Sequence, residues 1–487
     1  MPASDQHRLY TQNKDRWQLV RDCVEGSDAI KTAKARGVST DDNKQTITGI
    51  HNLSGSRYLP VPNPSDDSKE NIDRYQQYKL RASFVNFTGH TKDGFTGMIG
   101  RKKSVIELDA SVEELKENSD GTGQSLQQLI QAIISDTLET GRYGLLADFP
   151  VSEAGQTAAQ TNGLQATIKR YPAESIINWR ESVIDSQSVL TMVVLSEQVE
   201  KVGEDGFSVE VVTHHRVLLL EDGIYIQRLY DEDGDLIVDK AGNSDLIPRK
   251  SDGSNWTEIP FQFIGSEDNS PTPDKAPLYD LAEVNISHYR NSADFEESSF
   301  LVGQPTPVIS GLTQSWVDEV LKSGVNFGSR SAILLPSEAN AQLLQANSNQ
   351  MPDRGMELKE DQMIKIGAKI ITDGGGVETA ESAKIRFAGQ NSKLGVLVTN
   401  VENGALNVVI WCMEFMGGSG ENTLEVNRDF YEATVNPQVL VANMQLLDRN
   451  IIAKSDLRKN LRGSGLIEAE RTDEEIDEEI GDIDPIE

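Results

Sequence analysis

Closely spaced carboxylates can grip a divalent cation, and "DEDGD" at 231–235 opens as a calcium loop does. Its glycine falls fourth rather than sixth, however, and the twelfth position is Gly242 where a bidentate glutamate is needed. A solvated hairpin turn accounts for it better. "TDGGG" at 372–376 could offer backbone amides to a phosphate, yet no Gly-Lys-Ser or Gly-Lys-Thr follows. That leaves a flexible joint between helices. His214 and His215 are neighbours in a strand-like stretch, so they point to opposite faces and cannot share a metal. Cys23 and Cys412 lie too far apart in sequence for a zinc spacing or a disulfide framework. No Gly-x-Ser-x-Gly elbow occurs. No catalytic, metal-ligating or cofactor-binding residue is assigned, and the chain is not expected to be an enzyme.

The elements that would carry any site are more informative. From Leu394, apolar residues recur at Val398, Val401, Ala405, Val408, Cys412 and Phe415, alternating four and three, which predicts one striped helix over 379–416. At 1.5 Å per residue it would be roughly 57 Å long. Ser125 and Gly141 bracket a second helix with Leu126, Leu129, Ile130, Ile133 and Leu138 inward, and "YGLLADFP" follows as a buried strand. Another helix starts near Asn71, with Ile72, Tyr75, Ala82 and Val85 in register. Residues 165–265 form a β-rich insert in which "EDG" and "DEDG" separate three short strands of a meander.

Beyond "SEDNSPTPDKAP" a helix begins near Leu278, striped by Ala282, Ile286, Tyr289, Ala293 and Phe300, with Asp280, Glu283, Asp294 and Glu297 on its other faces. A small α/β segment follows, with "TQSWVDEVLKSG" as helix and "SAILLP" as strand. "DRGMELKEDQMIKIGAKII" is a further helical stretch. The fold class is therefore α+β, mainly helical, with long helices and a β-rich insert.

Net charge is −31, from 46 basic and 77 acidic residues, which is wrong for a protein that grips nucleic acid through its phosphates. The exceptions are local: "RKK" at 101–103, and Arg449, Lys454, Arg458, Lys459 and Arg462. Residues 468–487 carry eleven carboxylates against one arginine and read as a mobile tail beyond Gly481. The N-terminus lacks the apolar core of a signal peptide and no run approaches eighteen apolar residues. Synthesis in the cytoplasm with no membrane partner is expected.

The ordered set "DLAEVNISHYRNSADFEESSFLVGQPTPVISG", "KEDQMIKIGAKII" and "TAESAKIRFAGQNSKLGVLVTNVENGALNVVIWCMEFMGG" resembles tailed-bacteriophage portal proteins. "RWQLVRDCVEGSDAIK", "YLP", "RYQQYKLRASFVNFT" and "TLETGRYGLLADFP" resemble the same group, so the likeness runs over about 13–470. It implies a ring, usually of twelve subunits, at a capsid vertex of the virion, through which double-stranded DNA is packaged and ejected. The implied partners are the terminase large subunit, a head-tail adaptor, and major capsid and scaffolding proteins. The implied divisions are a wing over 1–270, stem helices over 277–300 and 353–370, and a small α/β clip over 301–350. A tunnel loop would span 371–383, a long wing or spine helix 384–418, and a small crown with the acidic tail 419–487. Asp373, Gly374, Gly375, Gly376 and Glu378 would face DNA, and Asp280, Glu283, Asp294 and Glu297 would line the stem channel. The short region after Gly418 departs from the group's larger crowns. Other classes remain open: a virion adaptor or capsid-associated protein, or a soluble acidic hydrolase using paired carboxylates.

Overall fold

The computed structural model describes residues 3–34, 39–40, 43–44, 53–149, 165–184, 186–203, 206–238, 242–304, 306–319, 335–345, 350–367, 380–428, 430, 444–447, 449, 451–463, 467 and 471–481. It gives backbone alone for 39–40, 43–44, 380–392, 460, 463 and 480–481. The chain opens with helices α1 (Arg8–Glu25), α2 (Ser27–Thr32), α3 (Lys69–Arg81) and α4 (Phe87–Ile99), then strand β1 (Val105–Glu107), α5 (Leu126–Thr140) and β2 (Arg142–Asp148). Next come β3 (Thr167–Pro172), β4 (Ile176–Ile184), β5 (Gln187–Val202), β6 (Val209–Glu221), β7 (Ile224–Tyr230) and β8 (Phe261–Gly265). The remaining part holds α6 (Tyr279–Gly303), β9 (Thr306–Ser310), α7 (Gln314–Glu319), β10 (Asn340–Leu344), α8 (Met351–Ile366), α9 (Ala380–Met416), β11 (Thr423–Glu425), α10 (Lys454–Gly463) and α11 (Asp473–Gly481). The fold class is α+β, as expected.

The centre is built by α5 and β2. Ser125 caps α5 reciprocally: its Oγ accepts from the Gln128 amide at 3.2 Å and its own amide donates to Gln128 Oε1 at 3.1 Å. Gly141 ends the helix at φ 69°, a left-handed turn that suits glycine. The chain then enters β2, buried from Arg142 to Ala147, between β8 and β3 in a three-stranded antiparallel sheet. Strands β4 to β7 form a separate antiparallel meander.

Helix α9 runs 37 residues and lays its stripe on this centre, with Val398, Val401, Ala405, Val408 and Cys412 fully buried. It packs on β8, β2, β3 and α5. Gly404 marks the closest approach, since a Cβ there would lie 2.7 Å from Ile264 Cγ1. Lys393–Met416 is long and apolar enough to cross a membrane, but one face of it belongs to the core shared with β2 and β8.

Three expectations need correction. Helix α3 ends at Arg81, and Val85 is 43% exposed instead of continuing the stripe. Tertiary bonds replace the helical ones there: the Ser83 amide donates to Ser292 Oγ at 2.9 Å, and Asn285 Nδ2 donates to the Val85 carbonyl at 2.8 Å. The α6 stripe stops at Ala293, leaving Phe300 41% exposed. The meander strands are not uniformly short, since β6 has 13 residues, and the stretch after "DEDG" contributes only the isolated bridge Tyr230–Leu236. "SAILLP" falls mostly outside the described residues; the strand pairing seen here joins β9 and β10.

One apolar cluster reaches from Tyr10 to Phe430. Between Ala293 and Met363, no described residue is buried.

Candidate functional site

The four carboxylates assigned to the helix after Leu278 all sit on α6. At 100° per residue Asp280, Glu283, Asp294 and Glu297 fall within an arc of about 100°. Each has a partner within the chain. Lys275 Nζ pairs with Asp280 at 2.6 Å, and the Tyr279 hydroxyl donates to Glu283 at 2.8 Å. The Tyr78 hydroxyl donates to Asp294 at 2.6 Å, and Arg81 pairs with Glu297. Burial together with the Asp294 carboxylate pushes the Tyr78 hydroxyl far above its ordinary value. The C-terminal pair is thus turned towards α3. Glu283 and Asp294 form no ion pair among the described residues, so they are the two of the four whose charge no described cation offsets.

Helix α8 packs along α6, and Gly355 permits the closest contact: a Cβ there would collide with the Asn291 amide. His288, buried against the edge of Phe87, meets Glu360 at 3.2 Å. Beyond this contact the two helices run out to the β9–β10 pair, a two-stranded sheet in which all of β10 is exposed. Two strands alone are marginal in water, and this sheet lacks a buried face. Leu301, Leu343, Leu344, Met351 and Leu358 are 51%, 65%, 65%, 74% and 56% exposed. Asp373, Gly374, Gly375, Gly376 and Glu378 lie outside the described residues.

The other motifs resolve as structure. Asp231 Oδ1 accepts from the amides of Asp233 at 3.1 Å and Asp235 at 2.8 Å, so "DEDGD" is a turn closed by its first side chain. His215 is buried and burial lowers its pKa, while His214 on the opposite face is half-buried. Among the described residues no three His, Cys, Asp or Glu converge as a metal needs. Lys102 and Lys103 line an open groove of about 690 Å³ over the β11–β1 pair, with Val105, Val426, Glu402 and Arg428.

Sequence reading missed two charged constellations. Arg21 is ringed by Asp136 and Glu139 from α5 and by Glu174 from the short turn between β3 and β4. Arg142, 2% exposed, lies between the rings of Trp179 and Phe263 at 4.1 and 4.5 Å. Neither is visible in spacing, because each is assembled from distant segments. A third feature was legible: "TDEE" at 472–475 is a capping box, with the Thr472 amide donating to Glu475 at 2.9 Å and the Glu475 amide to Thr472 Oγ1 at 3.2 Å. It starts α11 inside the acidic tail.

Residues 277–416 match a family model described as a domain of unknown function, DUF4055. No curated protein matches the chain. Among solved structures, the chain is similar to one titled virion of native gene transfer agent particle, at 14% identity and TM-score 0.39, covering 80% of this chain and 93% of that one. A second is titled neck of empty gene transfer agent particle computed with C6 symmetry, at 13% identity and TM-score 0.39, covering 77% and 90%. A third is an HK97 family phage portal protein from Corynebacterium diphtheriae, at 11% identity and TM-score 0.29, covering 70% and 91%. Likeness at this level leaves the functional reading to the chain's own residues.

Proposed function

We propose that this chain is a non-enzymatic subunit of a portal ring, the virion component at a capsid vertex through which double-stranded DNA is packaged and later ejected. The observation that carries the reading is the bare segment between Ala293 and Met363, where no described residue is buried although large apolar side chains are present. A monomer rarely leaves such a surface to water. Copies standing side by side would cover it, and two different faces per copy make a contact that closes as a ring.

In this reading 277–300 and 353–370 are the stem, 301–350 the clip and 1–270 mostly wing. The stretch 371–383 is the tunnel loop, 384–418 the spine, and 419–487 a small crown with the acidic tail. Twelve copies at −31 each would carry −372, so a duplex in the bore meets carboxylates and slides without adhering. Glu283 is the stronger lining candidate, because Asp280 and Glu297 each already face a cation and Asp294 is turned towards α3. Asp373, Gly374, Gly375, Gly376 and Glu378 are proposed to approach the DNA. The terminase large subunit, a head-tail adaptor, and capsid and scaffolding proteins are the partners this role requires.

Native mass measurement with two-dimensional electron-microscopy averages tests the reading. One homogeneous ring with a central bore, of about twelve copies, is expected. A stable monomer or dimer at all protein concentrations would overturn it.

A further inference from the structure

Near the C-terminus, α10 and α11 are joined by ion pairs. In α10, Arg458 pairs with Asp477 and Arg462 pairs with Asp473, two rungs in antiparallel register. Arg458 Nη1 also donates to the Asp473 carbonyl at 3.4 Å, and Arg462 Nε to the Arg471 carbonyl at 2.8 Å. The arginine side chains are only 11% and 21% exposed, whereas Asp477 is 63% exposed, so the acidic helix lies over the basic one. Ile476 is buried here, yet it lies outside the main apolar cluster.

We propose that the Arg458–Arg462 face of α10, flanked by Lys454 and Lys459, is a binding site for the phosphate backbone of nucleic acid, and that α11 occupies it as a built-in competitor. This goes beyond the ring reading and does not depend on it. The carboxylates of Asp473 and Asp477 mark where anionic oxygens sit when the site is filled. Arg458 and Arg462 are about 6 Å apart along their helix. Alternate phosphates of one strand advance by roughly 6.8 Å, a close match.

Competition favours a duplex over the tail. Ion pairs to exposed carboxylates contribute little individually and are screened by salt. Helix α11 spreads six carboxylates around about 13.5 Å of its length, whereas duplex DNA presents a charge every 1.7 Å or so. Releasing α11 also removes repulsion, since residues 472–487 hold nine carboxylates and no basic residue. At neutral pH the intact chain therefore holds the site closed, and a dense polyanion at high local concentration opens it.

The experiment measures binding of a short labelled duplex by fluorescence anisotropy. It compares the full chain, the chain ending at Arg471, and that shorter chain carrying R458E and R462E. A full chain carrying D473N and D477N removes both rungs without shortening anything. The shortened chain should bind at least about tenfold tighter than the full one, and the Asn variant should fall between them. With four cations engaged, affinity should fall by roughly a hundredfold between about 50 and 200 mM salt. R458E and R462E should abolish the gain. Equal binding by the full and shortened chains, or binding that survives R458E and R462E, would overturn the proposal. Displacement of the duplex by polyglutamate at equal charge would overturn the assignment to nucleic acid. Native mass of the same samples scores ring assembly separately.

Discussion

Arg21 holds three carboxylates at one point of the core surface: its Nη1 donates to Glu139 at 2.8 Å and its Nε to Glu174 at 3.0 Å, with Asp136 paired beside them. Lys92 reaches Glu139 at 3.5 Å, leaving the group one negative charge in excess. Burial raises the pKa of Asp136 and of Glu139, and the Arg21 charge opposes it in both. Burial also works against the Arg21 charge but is outweighed by the Glu174 hydrogen bond and the surrounding carboxylates, which push its pKa up. Arg21→Met should cost about 3 kcal/mol at neutral pH, because it strands carboxylates away from water. An acid whose folded pKa lies above its unfolded value adds stability as pH falls through the folded pKa, down to the unfolded one. Losing Arg21 raises the folded values further, so the variant's deficit should be smaller at mildly acidic pH than at neutral pH. Urea midpoints at the two pH values check this, and a deficit that stays constant would remove the carboxylates as its cause. Nothing in the sequence flags the cluster, since Arg21, Asp136 and Glu174 converge only when α1, α5 and the turn between β3 and β4 are packed.

At the scale of the element, periodicity was a good guide where a helix is long and one of its faces meets the core. Both limits of α5 follow from Ser125 and Gly141, and the α9 stripe from Leu394 to Phe415 is buried throughout. It misled at ends decided by distant partners. The α3 stripe breaks at Ala82 because Ser292 and Asn285 of α6 take the backbone groups that would have continued the helix. The stripe itself predicts a contrast. Val401 is fully buried and Val396, on the same helix, is 43% exposed. Val401→Asp should cost more than about 3 kcal/mol, by burying a carboxylate with no partner, and give insoluble or unfolded protein. Val396→Asp should stay within about 0.5 kcal/mol of the parent. Soluble yield and thermal midpoint measure both, and equal tolerance of the two would mean that α9 does not pack as described.

For the whole molecule, the informative contrast is between a body with one continuous core and an extension in which no described residue is buried. The sequence reading placed α6 and α8 but could not show that β9 and β10 lack a buried face, because exposure belongs to the assembled chain. Leu343 and Leu344 are neighbours in β10, so they point to opposite sides, and each is 65% exposed. A strand that is apolar on both sides and open to water has a use only if other chains flank it on both. Replacing both with aspartate therefore separates folding from assembly. The folded subunit loses no buried contact, so its thermal midpoint and circular dichroism should match the parent, with a stability change within about 0.5 kcal/mol. In the proposed ring each aspartate would be desolvated against a neighbour, and next to a chain of net charge −31 it would also be repelled. Native mass should then report folded monomers where the parent forms rings. Rings assembled normally from the doubly substituted chain would show that this end of the molecule faces solvent in the assembly, and that the lateral contact must be sought along α6 and α8.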